Sequence, residues 1–200
     1  MRCGLDDQRG TGWRKRINLY LSLIHILSSN SGIEGFIGMN NYQLDHAKKF
    51  MDIERIFSVH QITEKDEKLK YIQICDSAYT FSVVQRDDFL ELFDKIHYNA
   101  IFLGMKYASE YVGYAAIYAN DFENYSAYIT LICISDKYQR LHLGSMLLKE
   151  CVDAAQKAGM RDIRLEVLKQ DQGAIQFYEK NKFEYEKEAS LKSIYMRKLI

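Results

Sequence analysis

The stretch Tyr128-Ile129-Thr130-Leu131-Ile132-Cys133-Ile134, followed shortly by Tyr138-Gln139-Arg140-Leu141-His142-Leu143-Gly144-Ser145-Met146-Leu147-Leu148, decides how this chain folds. Its first part is almost wholly β-branched, aromatic or aliphatic, which reads as a strand over residues 125–134. Its second part opens a helix expected over residues 141–158. Leu143, Met146, Leu147, Cys151, Ala154, Ala155 and Ala158 recur there at helical spacing, and Gly159 supplies a stop. Downstream come a strand over 163–168, a short helix over 173–180 and closing strands near 183–188 and 193–199. The short helix carries Ala174, Phe177, Tyr178 and Asn181 on one side. Upstream, strands over 100–107 and 111–119 are separated by turn-like Ala108-Ser109-Glu110 and Asn120-Asp121-Phe122-Glu123-Asn124, which suits an antiparallel meander. A helix over 87–97 presents Phe89, Leu92, Phe93 and Ile96. An acidic helix start at Thr63-Glu64 and Asp66-Glu67 precedes Leu69, Ile72 and Cys75, and a short strand is expected within 53–62. The order is β-α-α-β-β-β-α-β-α-β-β, an α/β chain with a mixed sheet.

Composition narrows the function. The chain has 200 residues, 48% hydrophobic and 27% charged, which excludes a wholly disordered or collagen-like chain. Its 27 basic residues cancel its 27 acidic ones, so no basic excess points to nucleic acid as a partner. Cys3, Cys75, Cys133 and Cys151 form no C-x-x-C, and no histidine stands at ligand spacing from a cysteine or another histidine. No metal is therefore expected. Reduced thiols in a cytoplasmic protein are the plain reading.

Residues 1–50 differ from the rest. Arg14-Lys15-Arg16 precede an apolar run from Ile17 to Leu27, and Ser28-Ser29-Asn30-Ser31-Gly32 follow. A signal peptide has this layout, but Asn18, Ser22 and His25 interrupt the run and no A-x-A-like cleavage site follows. The run also falls short of the ~20 residues a membrane-spanning helix needs. A loosely packed extension and translated adapter sequence, suggested by Leu19 to Ile26, are the other readings. Residues 1–50 are accordingly expected to be an N-terminal extension, non-core or non-native, with residues 51–200 as the domain and no membrane partner.

Two motifs then carry a resemblance. The segment from Gln139 to Ser145 resembles the acetyl-CoA motif of the GNAT N-acetyltransferase superfamily, Gln/Arg-x-x-Gly-x-Gly/Ala, which ends a strand and opens a long helix. The segment Asp171-Gln172-Gly173-Ala174-Ile175-Gln176-Phe177-Tyr178-Glu179-Lys180-Asn181-Lys182-Phe183 is similar to the second family motif, Asn-x-x-Ala-x-x-x-Tyr-x-Lys-x-Gly-Phe. The likeness covers residues 51–200 by element order and about 125–185 by motif. It implies a mixed, mostly antiparallel central sheet flanked by helices. The implied activity is transfer of acetyl from acetyl-CoA to a primary amine by direct attack in a ternary complex. The acceptor would be a small metabolite, an amino sugar or a peptide N-terminus, and the protein a monomer or homodimer. The alternative is a catalytically weak module of the same fold that binds CoA or regulates.

The resemblance also implies a site. The pyrophosphate would dock on amides from Arg140 through Leu141, His142, Leu143 and Gly144 to Ser145, because a helix start leaves N–H groups unpaired and carries partial positive charge. Gln139 belongs to the same motif. Ile132, Cys133 and Ile134 would supply the strand against which pantetheine lies. Asp171, Ala174, Phe177 and Lys180 match the second motif around Tyr178, the residue expected to protonate the departing CoA thiolate. A phenol of pKa about 10 can donate to a thiolate whose acid is near 8.5. Glu166 is the candidate base for the acceptor's proton, with Asp121 and Glu123 as weaker ones or a water chain instead. Cys133 invites a thioester, but a buried Cys ordinarily behaves as a small hydrophobe. Three positions depart from the family pattern. His142 stands in place of the first glycine, which carries no backbone penalty if its φ is helical. Asp171 replaces Asn, and Lys182 replaces the Gly before Phe183. The loops around 77–87 and 120–125 are expected to select the acceptor.

Overall fold

The computed structural model describes residues 57–200; the expectations for residues 1–50, and for the start of the strand within 53–62, lie outside the described residues. The elements are β1 Phe57–Gln61, α1 Lys65–Cys75, α2 Phe89–Asn99, β2 Ile101–Tyr107, β3 Glu110–Asp121, β4 Ser126–Ile134, α3 Leu143–Lys157, β5 Asp162–Leu168, α4 Gln172–Lys180, β6 Glu184–Glu188 and β7 Ser193–Leu199. This is the expected order, with boundaries moved by a residue or two. The strands form one seven-stranded sheet in the order β1-β2-β3-β4-β5-β7-β6. β2–β3, β3–β4, β5–β7 and β6–β7 are antiparallel, and β4–β5 is parallel. A parallel pair cannot be joined by a hairpin, and α3 is the crossover that connects it.

Helix α1 starts with Asp66 and Glu67 in its first turn, where negative charge suits the helix dipole. Its buried residues are Lys68, Tyr71, Ile72 and Cys75, and the expected Leu69 is partly buried against the same core. Lys68 is buried because its Nζ donates to the His97 carbonyl at 3.1 Å, and burial lowers its pKa. Tyr71, Ile72 and Cys75 join Phe93 and Ile96 of α2 over Phe102, Tyr114, Ala116 and Cys133 of the sheet. The alternate β3 residues Ala115 and Ile117 are buried as well, so both faces of this central strand are covered. Helix α3 packs across β2, β3, β4 and β5 and buries Leu143, Leu147, Leu148, Cys151 and Ala155. It ends at Gly159, whose φ of 84° is the left-handed conformation that glycine adopts without strain.

Candidate active site

The site begins with a defect in β4. Ala116 of β3 pairs with Leu131, but the next residue, Ile117, pairs with Ile129, leaving Thr130 as an extra residue. Such a bulge bends the strand and raises its twist. Pairing between β4 and β5 stops at the same place. It covers Ser126↔Asp162 to Ile129↔Leu165 and no further, although β4 runs on to Ile134 and β5 to Leu168. The closed end is clamped: buried Asp162 accepts from Ser126 Oγ at 2.6 Å and from Arg197 Nη2 at 2.6 Å.

Where the strands part there is a cleft of about 510 Å³. Its walls are residues 78–83 and Arg86 of the α1–α2 loop, 129–132 of β4, 165–168 of β5, and Asp171, Ala174 and Tyr178. The loop is held by Asp76, whose Oδ1 accepts from the Val83 and Val84 amides at 2.7 and 3.2 Å and whose Oδ2 accepts from Ser82 Oγ at 2.6 Å. The Ser135 N–H donates to the Val112 carbonyl on β3 at 2.9 Å. Backbone groups of successive strand residues alternate sides, so those of Ile134 and Ile132 face away from β3, toward the open side. Gln139 Nε2 donates to the Ile134 carbonyl at 3.1 Å and to Asp136 Oδ1 at 3.1 Å, which ties down the end of the strand.

Of the expected residues, Glu166, Tyr178, Ile132, Asp171 and Ala174 line one cleft. Burial pushes the Tyr178 phenol well above its ordinary pKa, and the nearby Cys151, Asp171 and Cys133 act in the same direction. Tyr178 is therefore protonated at neutral pH. Phe177 lies against the start of α3. A Cβ on Gly144 would stand 3.3 Å from the Phe177 ring, so the small residue permits this close approach. Cys133 turns the other way, into the core under α1. Its Sγ donates to the Cys75 carbonyl at 3.3 Å, and the neighbouring Cys75 thiol, together with burial, keeps it protonated, unsuited to nucleophilic attack. Lys180 is exposed in the last turn of α4.

The three departures from the family pattern resolve individually. Asp171 caps α4 by accepting from the Ala174 N–H at 2.9 Å, a role that needs only an acceptor. Lys182 takes φ 69°, keeping the left-handed turn that glycine would make. His142 has φ 61° and Arg140 φ 62°, so the condition under which His142 would carry no backbone penalty is not met. A non-glycine residue there costs roughly 1–2 kcal/mol. The 120–125 loop also needs correction. It joins β3 to the start of β4, at the end of the strand opposite the bulge, and contributes nothing to the cleft wall. Asp121 is occupied there by the Asn124 backbone amide and side chain, which hold its carboxyl below its usual pKa. The Thr130 bulge and the Asp76 anchor were not expected. A turn-forming Asp-Ser pair directly after α1 is the signal that could have marked the second. Among the described residues no group of His, Cys, Asp and Glu is placed to hold a metal ion, and no helix is long and apolar enough to cross a membrane.

The sheet is seven-stranded and mixed, with its one parallel pair opening beside the start of α3. The family model for the acetyltransferase (GNAT) family matches residues 66–183, and the chain belongs to that family. Among solved structures, the ribosomal-protein-S18-alanine N-acetyltransferase from Escherichia coli is similar at 18% identity and TM-score 0.60, over 72% of this chain and 94% of that one. PaiA N-acetyltransferase from Thermoplasma acidophilum, in complex with coenzyme A, gives 18% identity and TM-score 0.58 over 72% and 99%. A GNAT family acetyltransferase from Elizabethkingia anophelis with acetyl-CoA bound gives 18% and 0.53 over 72% and 99%. No match was found among curated proteins.

Proposed function

We propose that the chain transfers acetyl from acetyl-CoA to a primary amine by direct attack in a ternary complex, through a domain spanning residues 51–200. The observation that carries this reading is the parting of β4 and β5 past Thr130, which opens one cleft onto both Glu166 and Tyr178. The outward-facing backbone groups of Ile132 and Ile134 suit strand-like bonds to the amides of pantetheine. The α3 amides from Leu143 to Ser145 suit the pyrophosphate, and the Arg140–His142 amides precede them in the chain.

Glu166 takes a proton from the acceptor's ammonium group, freeing the lone pair that attacks the thioester carbonyl. The new C–N bond forms, its nitrogen releases a second proton to solvent, and the C–S bond breaks. Tyr178 gives its proton to the departing sulfur and recovers one from solvent. Holding both substrates in one cleft supplies much of the rate, since well-oriented reactions reach effective molarities of about 10⁵ M or more. The loop at 78–86 would select the acceptor, which we place among small metabolite amines, amino sugars and peptide N-termini. A non-catalytic CoA-binding module is favoured by the left-handed His142 alone, whereas Asp171 and Lys182 keep the geometry their usual counterparts provide. The test is release of CoA thiol from acetyl-CoA by the full chain across a panel of amines. Amine-dependent release supports the enzyme, and saturable acetyl-CoA binding without release supports the module.

A further inference from the structure

Glu166 is held by a hydroxyl chain that the steps above leave unused. Ser193, at the start of β7, is among the few buried polar residues, and its hydroxyl donates to Glu166 Oε1. Ser193 Oγ also lies 2.7 Å from Ser190 Oγ, and the Lys192 N–H donates to Ser190 Oγ at 3.1 Å. A serine hydroxyl has one proton to give. That of Ser193 goes to the carboxylate, so Ser190 must donate to Ser193, and the Lys192 amide in turn donates to Ser190. The chain therefore runs one way, from backbone amide through two hydroxyls to carboxylate, and each link polarises the next.

The turn that carries it is firmly built. The Ala189 and Ser190 amides both donate to the Ser193 carbonyl, at 3.1 and 3.2 Å, and the Lys169 N–H donates to the Lys192 carbonyl at 2.9 Å. The other charged and titratable groups around Glu166 do not do this work. Arg164, two residues earlier on β5, donates to Glu186 through Nε and Nη2. Tyr195 is its cross-strand partner on β7, and Tyr128 stands on β4 with its phenol pushed up to about 12, first by burial and then by the Glu166 charge.

We propose that Ser193, backed by Ser190, is the positioning residue for Glu166: it fixes Oε1 and leaves Oε2 as the oxygen that receives the acceptor's proton. This rests on Glu166 being the base. Without the anchor a glutamate on an exposed strand position spreads over several rotamers, and only some present an oxygen to the amine.

The experiment is a double-mutant cycle on the full chain with acetyl-CoA and an accepted amine. Ser193→Ala should lower kcat ~10-fold and leave the KM for acetyl-CoA within about twofold. Ser193→Thr should restore most of the rate. In a Glu166→Gln background, Ser193→Ala should cost nothing further. Ser190→Ala, at an exposed position, should lose about threefold and guards against a folding defect in the buried variant. An Ser193→Ala loss that persists in the Glu166→Gln background, or no loss in either serine variant, overturns the positioning role. Full turnover in Glu166→Gln alone overturns the base assignment instead, and the two failures are thereby told apart.

Discussion

The two halves of β4 belong to one continuous strand and have different fates. Ser126–Ile129 pairs with both β3 and β5, with a register shift on the β3 side between Tyr118 and Asp121, and is pinned through Asp162 to Ser126 and Arg197. Thr130–Ile134 keeps β3 as a neighbour and loses β5. The second half is the richer in β-branched and aliphatic residues, yet it is the half that loses a neighbour. The extra residue at Thr130 marks the change, because a bulge bends the strand and raises its twist. The closed half gives stability and the open half gives a polar backbone edge inside a protein, a feature sheets otherwise avoid or cover. Such an edge is tolerable where a ligand with its own amides can complete it.

The largest effect is expected at Tyr178, which lines the cleft beside the open half. Tyr178→Phe removes one hydroxyl and almost no volume. Turnover should fall by roughly 10²–10⁴-fold if Tyr178 is the general acid, while the KM for acetyl-CoA moves much less. Steady-state kinetics with an accepted amine measures both, and unchanged kcat would leave the cleft without its acid.

Alkaline stability is next. Burial raises the phenols of Tyr79, Tyr114 and Tyr178 above their ordinary value. Above pH about 10 the unfolded chain releases these protons and the folded one retains them, so the unfolded state binds fewer protons and stability falls as pH rises. The contribution is fully present below pH about 10 and is lost above it. Urea midpoints measured across pH 8 to 11 should show a decline that steepens near 10, and a flat profile would mean these phenols are solvated.

A smaller gain is expected at the helix start. His142→Gly relieves a left-handed non-glycine residue and should stabilise the full chain by about 1 kcal/mol, or ~2–4 °C in thermal unfolding. The least effect belongs to the loop at the closed end. Glu123→Gln should leave turnover within about twofold, since that loop stands clear of the cleft, and a large loss would return the 120–125 loop to the acceptor site.

The element order was legible in sequence because apolar spacing reports which face of each strand or helix is buried, and Leu143, Leu147, Cys151 and Ala155 did so for α3. Tyr178 was legible only through the second motif, since an isolated Tyr on a helix has no distinguishing pattern, and Glu166 only as a carboxylate on the strand between the two motifs. The Thr130 bulge was not legible, because it is a register relation between β3 and β4 rather than a property of either run. His142 could not be read either: its φ is set by how the loop must turn into α3, and the residue's own preference argues for the opposite. Ser193 meets Glu166 across 27 residues of chain, diagonally between paired strands, where short-range spacing carries no information.

Amide hydrogen exchange of the full chain with and without acetyl-CoA tests the division of β4 most directly. The Ile132 and Ile134 amides should exchange markedly more slowly when acetyl-CoA is bound, while those of Ala127 and Ile129, already between two strands, should change little. Protection that rises equally along β4, or not at all beyond Thr130, would contradict the claim that the open half is the acetyl-CoA-binding edge.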